Sequence, residues 1–196
     1  MNLLGALKEN KLYILMAALL MGIFMVIGAM TPLQEGSLAD SPLLKNLEPY
    51  LQYYQPFNPI TVIFLFLKNS LTAGMAFILG PLLLLFPAIV LVLNGFLVGY
   101  VGNSVANQLS IQMAFATLAP HGIFELPALV IASAAGFHLG VATLEKAYAT
   151  LRHRDYSFYF EFNSALRLFV ITIILLAIAA IMETFVTPIF IEFFRP

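Results

Sequence analysis

The chain has 196 residues, of which 61% are hydrophobic and 10% are charged, whereas a soluble domain carries roughly 25% charged residues. This leaves too little polar surface to cover a water-exposed globule, so the composition argues against a soluble helical domain and predicts an integral membrane protein. The net charge of −1 gives no reason to expect a nucleic acid partner. The lack of cysteine excludes disulfides, thiolate metal sites and thiol nucleophiles.

Five apolar stretches are each long enough to cross the hydrocarbon core of a bilayer, and they predict an all-α, polytopic transmembrane helical bundle. We expect a single membrane domain over residues 1–196, with crossings at residues 12–30, 60–79, 82–101, 124–142 and 165–186. The first crossing follows Lys8 and Lys11 and is longer than the core of a signal peptide. We therefore expect it to remain as an uncleaved anchor.

A polar loop at 31–59 follows the first crossing. Its leucines and tyrosines between 42 and 56 fit a short helix on the membrane surface, with the tyrosines at the level of the lipid headgroups. Pro42 and Pro56 would bound this surface helix.

Residues 105–120 predict a half-helix that does not cross the membrane. The apolar stretch from Leu109 to Ala119 has eleven residues, which make only about 16 Å of helix. Pro120 and Gly122 predict a break in the backbone after it. We therefore expect a re-entrant segment that dips in from the outer face, with the next helix starting near residue 124.

Basic residues in short loops mark the cytoplasmic side of a membrane protein. Two lysines before the first crossing place the N-terminus inside, and Lys146, Arg152 and Arg154 place the loop at 143–163 inside as well. The loop at 31–59 carries one lysine and three acidic residues, which places it outside. Five crossings reconcile these assignments, with a cytoplasmic N-terminus and an outer C-terminus in the plasma membrane.

Six polar side chains in or beside the apolar stretches form a candidate intramembrane site: Lys68, Asn69, Asn94, His121, Glu125 and Glu183. A lysine or aspartate at mid-bilayer costs at least about 2.5–3.5 kcal/mol, so such groups face the bundle interior, pair, or line a cavity. Lys68 can pair with Glu183 or Glu125, or extend its amine to the membrane surface. Asn69 and Asn94 fit either hydrogen bonds between helices or ligand binding.

His121 and Glu125 are four residues apart and share a face if the chain between them is helical. Pro127 suits a first helical turn, which would place Glu125 at a helix N-terminus that favours a carboxylate or an anion. Three interpretations stay open: a structural hydrogen-bonded pair, a proton relay or substrate site, and a divalent metal site. Zinc would need a third ligand, such as Glu183; no other cofactor is expected.

No metalloprotease, phosphate-binding or nucleophile-elbow motif is present in the sequence. We therefore assign no catalytic residue, and an enzyme is not favoured. His138 lies near the predicted cytoplasmic end of its crossing, where we expect an interfacial or capping role rather than ligation.

Small residues form two helix faces, one at Gly95 and Gly99 and one at Ala132, Gly136 and Gly140. Such faces let helices approach closely, either within one chain or between two chains. They make a homodimer one candidate assembly.

Four segments resemble, in order, the stage II sporulation protein M family of membrane proteins: "NSLTAGMAFILG", "LNGFLVGYVGN", "APHGIFELPALVIASAAGFHLG" and "IMETFVTP". The resemblance covers roughly residues 60–190. It implies a multi-spanning helical protein of the plasma membrane, similar to a namesake that anchors peptidoglycan-degrading partners during engulfment in spore-forming bacteria. The family residues that map onto this chain are Asn69, Asn94, Gly95, His121, Gly122, Glu125, Pro127, Glu183 and Pro188.

Three functions follow as hypotheses. The first is a membrane scaffold that holds membrane protein partners or a second copy within the lipid bilayer. The second is a transporter- or channel-like protein whose polar site includes His121, Glu125 and Glu183. The third is a metal-dependent intramembrane enzyme with the same three residues as candidate ligands.

Overall fold

A computed structural model describes residues 3–32, 55–82 and 84–194, apart from the side chain of His121. Within these ranges the chain forms seven α-helices and one π-helical segment. They are α1 (Leu3–Glu9), α2 (Lys11–Met30), α3 (Pro59–Ile78), α4 (Leu85–Gln108), α5 (Ile111–Leu151), α6 (Phe158–Ile181), the π-helical segment Met182–Val186, and α7 (Thr187–Phe193). The predicted all-α bundle is confirmed, since five described helices are long and apolar enough to cross a membrane.

Side-chain caps define where two of the crossings begin. The Asn58 side chain accepts a hydrogen bond from the Ile60 backbone N–H at 2.9 Å, and Pro59 occupies the first turn of α3. The Ser110 hydroxyl accepts from the Met113 N–H at 3.0 Å and starts α5 directly after α4. These caps satisfy N–H groups that have no partner within their own helix.

Helix α5 lies at the centre of the bundle and contacts α2, α3, α4, α6 and α7. Within the most apolar stretch of each crossing, 67% of the residues of α5 are buried inside the bundle. The corresponding share for the other four crossings is 17–33%. The other crossings therefore surround α5.

The predicted small-residue faces pack inside this one chain. A Cβ atom on Gly99 of α4 would overlap the Met25 carbonyl oxygen of α2, and a Cβ on Gly136 of α5 would overlap the Ala76 carbonyl oxygen of α3. Only glycine permits such close approach of two backbones. A homodimer stays a prediction, and it would need a surface other than these glycines.

The predicted backbone break at 120–122 is wrong. Helix α5 continues through Pro120, His121, Gly122 and Pro127, so Glu125 does not lie at a helix N-terminus. Each proline removes one N–H donor, whereas a loop at membrane depth would expose several backbone polar groups to lipid. The short apolar helix exists as Ile111–Pro120, but it runs directly into the longer one.

Two other boundaries also differ from the prediction because the helices are longer. Helix α5 continues to Leu151 and α6 begins at Phe158, so only residues 152–157 separate them, where the sequence predicted a loop at 143–163. Residues 105–108, assigned from the sequence to the half-helix, belong to α4. The predicted surface helix between Pro42 and Pro56 falls on residues outside the described ranges, apart from positions 55 and 56.

Candidate functional site

A cavity of about 530 Å³ opens between α2, α4 and the first half of α5. We call it the α4–α5 groove. Its described lining residues are Met25, Asn94, Val98, Gly102, Ile111, Ala114, Phe115, Leu118, Ala119, Gly122, Ile123, Glu125 and Leu126. The groove therefore brings together two of the predicted site residues, Asn94 and Glu125.

Helical periodicity places these side chains along the groove. On α4 the lining residues Asn94, Val98 and Gly102 are spaced four apart, which puts them on one face. On α5 the lining residues run from Ile111 to Leu126, fifteen positions apart, which corresponds to about 22 Å of helix. The length of the groove is thus more than half of the thickness of a hydrocarbon core, about 30 Å, and its polar residues lie at the end farthest from Ile111.

The mouth of the groove opens sideways. Ile111, Phe115 and Ile123 are 76%, 64% and 63% exposed, although all three are large and apolar. Such side chains on the outside of a crossing helix face lipid or another protein. Entry to the groove is therefore lateral.

The two asparagines of the candidate site differ in their surroundings. The Asn94 amide donates to the Val90 carbonyl oxygen at 2.7 Å, within its own helix. This bond orients the amide in the lining of the groove, to which Glu125 also belongs. Asn69 is buried on α3, 5% exposed, and does not line the described groove.

Glu183 and Lys68 lie outside the α4–α5 groove, in a second region of the bundle. Glu183 is in the π-helical segment, and the charge of Lys68 acts on its carboxylate. Lys68 is exposed, so pairing with Glu183 and extension of its amine to the membrane surface both stay predictions. The Phe57 N–H donates to the Thr184 carbonyl oxygen at 3.1 Å, so the chain before α3 closes over this segment. π-Helical segments occur frequently at functional sites.

His121 lies on α5 one turn before Glu125, as the spacing predicts for a helical stretch. Among the side chains that the structure describes, no three His, Asp or Glu residues come close enough to hold a metal ion. Because the His121 side chain is outside that set, the zinc alternative stays a prediction.

A second polar cluster, absent from the predicted site, joins three helices at the end of the bundle where α2 and α6 begin. We call this end basal and the opposite end apical. His138 of α5 is 8% exposed, and its Nε2 lies 2.7 Å from Glu161 Oε2 of α6. Its ring stacks on Tyr13 of α2 with 5.2 Å between centroids. An ionised carboxylate only accepts hydrogen bonds, so Nε2 carries the hydrogen.

Neighbouring contacts extend this basal cluster towards the N-terminus. Asn10, between α1 and α2, donates to the Ala6 carbonyl oxygen at 2.9 Å and to Ser164 Oγ of α6 at 3.1 Å. Arg167 of α6 pairs with Glu9 at 2.8 Å. Together these contacts fix the turn between α1 and α2 onto α6.

The loop between α5 and α6 closes on the same end. The Tyr156 hydroxyl donates to Glu145 at 2.8 Å, and Lys146 donates to the Tyr156 carbonyl oxygen at 3.2 Å. Burial of the phenol and its hydrogen bond to Glu145 raise the pKa of Tyr156. A histidine in an apolar helix and a glutamate in the first turn of the next helix were the sequence signals for this cluster.

Comparison with known proteins places the chain among its relatives. A model of the family described as stage II sporulation protein M matches residues 12–188. Uncharacterized protein MJ0793 of Methanocaldococcus jannaschii is 32% identical over 153 residues, which cover 74% of this chain and 77% of that protein. No solved structure matches the chain. The family match and the five apolar helices make it a multi-pass membrane protein.

Proposed function

Because the chain belongs to the stage II sporulation protein M family, we propose that it is a membrane scaffold that holds the transmembrane segments of partner proteins. In this proposal the docking surface is the α4–α5 groove. The partner helix lies along the outer face of α5 and packs against α4.

The composition of the groove carries this proposal. Its lining includes four small residues, Gly102, Ala114, Ala119 and Gly122, beside the polar Asn94 and Glu125. Without a hydrophobic driving force in lipid, transmembrane helices associate where small residues permit close approach and polar groups hydrogen-bond across the interface. The groove offers both features on a surface that no described helix of the chain covers.

We propose that the protein lies in the plasma membrane with its basal end facing the cytoplasm. Lys8 and Lys11 flank the start of α2, and Lys146, Arg152 and Arg154 lie where α5 ends. Clustering of basic residues at one end of a bundle is typical of the cytoplasmic side. A reporter enzyme that works only in the cytoplasm should be active when it is fused after residue 153. Activity at the same position of a reporter that works only outside the cell would contradict this topology.

Photocrosslinking in native membranes tests the scaffold role. A photoreactive amino acid at Phe115 should form an adduct with a partner protein's transmembrane segment, and Gly102→Leu should abolish it by filling the groove. Gly22→Leu is the matched control, because Gly22 of α2 has no atom within 4 Å of its Cβ position. Adducts with lipid alone, or protein adducts indifferent to Gly102→Leu, would contradict the proposal.

A transporter- or channel-like role is the second candidate, and the size of the groove favours it. Its volume of about 530 Å³ falls within the roughly 300–1,000 Å³ of small-molecule sites. Native mass spectrometry of the protein, purified in lipid nanodiscs without partners, separates the two roles. A bound small molecule that is lost in Gly102→Leu would favour this candidate over the scaffold.

A further inference from the structure

We propose that the basal end of the bundle binds the phosphate headgroup of an anionic membrane lipid, through Arg152 and Arg154 with Lys146 beside them. Both arginines belong to residues 152–157, which join α5 to α6; we call this segment the basal turn. The α4–α5 groove lies along the other half of α5, so this inference does not rest on the scaffold proposal.

Charge separates the basal end from the rest of the chain. Six basic and four acidic residues belong to it, a net charge of +2: Lys8, Lys11, Lys146, Arg152, Arg154 and Arg167, against Glu9, Glu145, Asp155 and Glu161. The remaining sequence carries three basic and six acidic residues, a net charge of −3. An anionic headgroup is therefore favoured at the basal end.

Most of the negative charge at this end is engaged within the chain. Three carboxylates accept a hydrogen bond there: Glu9 from Arg167, Glu145 from Tyr156 and Glu161 from His138. Arg152 and Arg154 form no ion pair with a described side chain. Asp155 is the acidic residue of the basal turn, so the positive charge there is only partly balanced.

The backbone of the basal turn fixes where the two arginines lie. The Arg152 and Arg154 N–H groups both donate to the Ala149 carbonyl oxygen, at 3.1 and 2.9 Å. His153 between them has a left-handed backbone, with φ of 53°, as in a turn that closes the end of a helix. Both arginines are thereby placed at the end of α5, with their side chains exposed.

The side chains around the basal turn offer several donors to a phosphate. The Arg152 guanidinium carbon lies 5.4 Å from the centre of the Tyr148 ring, where an aromatic face attracts a cation. This contact limits the positions of the guanidinium, and its planar fork of N–H groups matches the oxygens of a phosphate. Lys146 uses one of its three donors on the Tyr156 carbonyl oxygen, which holds a third cation at the same turn.

Large apolar side chains hold the basal turn at the membrane surface. Leu151 precedes it, Tyr159 and Phe160 follow it, and all three are exposed. Such side chains face lipid at the end of a crossing helix, and tyrosine is typical of the headgroup level. The arginines between them therefore lie near the lipid phosphates, where acyl chains can contact Leu151 and Phe160 while the headgroup contacts the basic groups.

Energy transfer in phosphatidylcholine vesicles tests this preference. The chain has no cysteine, so Ser157→Cys, at an exposed position of the basal turn, carries the donor dye. The acceptors are trace lipids with the same labelled acyl chain and either a phosphatidylglycerol or a phosphatidylcholine headgroup. We expect more transfer to the phosphatidylglycerol probe from position 157. Transfer to the two probes should be equal from Leu109→Cys, in the apical turn between α4 and α5.

Charge variants assign the preference to the basal turn. Arg152→Gln and Arg154→Gln should each weaken association of the phosphatidylglycerol probe about fivefold, as expected for one basic residue near a membrane surface. Arg167→Gln removes the same charge from the same end, but from an arginine that already pairs with Glu9, so its effect should be smaller. Asp155→Asn should instead strengthen the association, and it decides the question if a glutamine variant fails to fold.

Three outcomes would overturn the proposal. Equal transfer to both lipid probes from position 157 would exclude a preference for the anionic headgroup. A loss in Arg167→Gln as large as in Arg152→Gln and Arg154→Gln would mean that the preference follows the net charge of the basal end and not the basal turn. Replacing chloride by inorganic phosphate at constant ionic strength should not release the lipid probe, and release would assign the basal turn to a free phosphate.

Discussion

The two halves of α5 have similar residues and different surroundings. From 131 to 136 and from 138 to 140 every residue is buried, whereas among the described side chains between 111 and 126 only Met113, Ala116 and Pro120 are. Both halves are rich in alanine and glycine. The basal half is covered by helices of the same chain, and the apical half lines a groove. Small residues therefore indicate that another helix packs against this face, but they do not indicate which helix it is.

Glycine substitutions should show this difference most strongly. Gly136→Leu would drive a side chain into the Ala76 backbone, whereas the nearest atom to a Cβ on Gly122 is 3.9 Å away. Overpacking a filled interface costs typically 1–3 kcal/mol and occasionally more, so Gly136→Leu should abolish folded protein and Gly122→Leu should not. Size-exclusion chromatography of detergent extracts gives the yields. Equal losses would mean that the apical half is as tightly packed as the basal half.

The basal cluster should have the next largest effect. Glu161→Ala leaves the buried His138 Nε2–H without its acceptor, which costs about 1–3 kcal/mol. Thermal unfolding in detergent should show a lower midpoint for Glu161→Ala. Asp155→Ala, which changes an exposed carboxylate of the loop between α5 and α6, should not lower it. In a His138→Phe background, which keeps a ring against Tyr13, Glu161→Ala should lose most of its effect. An undiminished effect there would place the contribution of Glu161 outside this pair.

The cap at the apical turn should contribute less. Ser110→Ala removes the acceptor of the Met113 N–H and should destabilise the fold by about 1 kcal/mol. Ser157 precedes α6 but makes no capping hydrogen bond, so Ser157→Ala is the matched control. Equal midpoints for the two variants would mean that the turn into α5 is held by packing alone.

Alkaline pH should produce the smallest change. The pKa of Tyr156 is raised in the folded state above its ordinary value near 10. The stability that its neutral phenol contributes is therefore complete below about pH 10 and is lost as the pH rises further. The unfolding midpoint should fall less steeply above pH 10 in Tyr156→Phe than in the parent chain. Identical slopes would show that Tyr156 does not contribute to this pH dependence.

Hydrophobic length predicted the helices, because a bilayer admits few alternatives to a helix of about twenty apolar residues. The same physics explains the error at Pro120 and Gly122. Proline and glycine favour turns where water or side chains can hydrogen-bond to the backbone groups that a turn leaves unpaired. Lipid cannot form these hydrogen bonds. The broken helix inferred there is continuous in the structure.

The sequence indicated which polar residues lie in the apolar helices, but only partly which of them lie near one another. Asn94 and Glu125 share the groove, but Glu183 lies in the π-helical segment and does not line it. Which residues meet depends on the rotation and register of separate helices, and the sequence of one chain does not report either. The contact of His138 with Glu161 was missed for the same reason.

Accessibility of the groove in native membranes most directly tests whether a partner helix occupies it. With no cysteine in the chain, Phe115→Cys in the groove and Leu19→Cys on the exposed face of α2 each provide one thiol for a lipid-soluble maleimide. Occupancy predicts that labelling at position 115 is slower in native membranes than in vesicles of the purified protein, while labelling at position 19 is the same in both. Equal labelling at position 115 in the two membranes would contradict a docked partner.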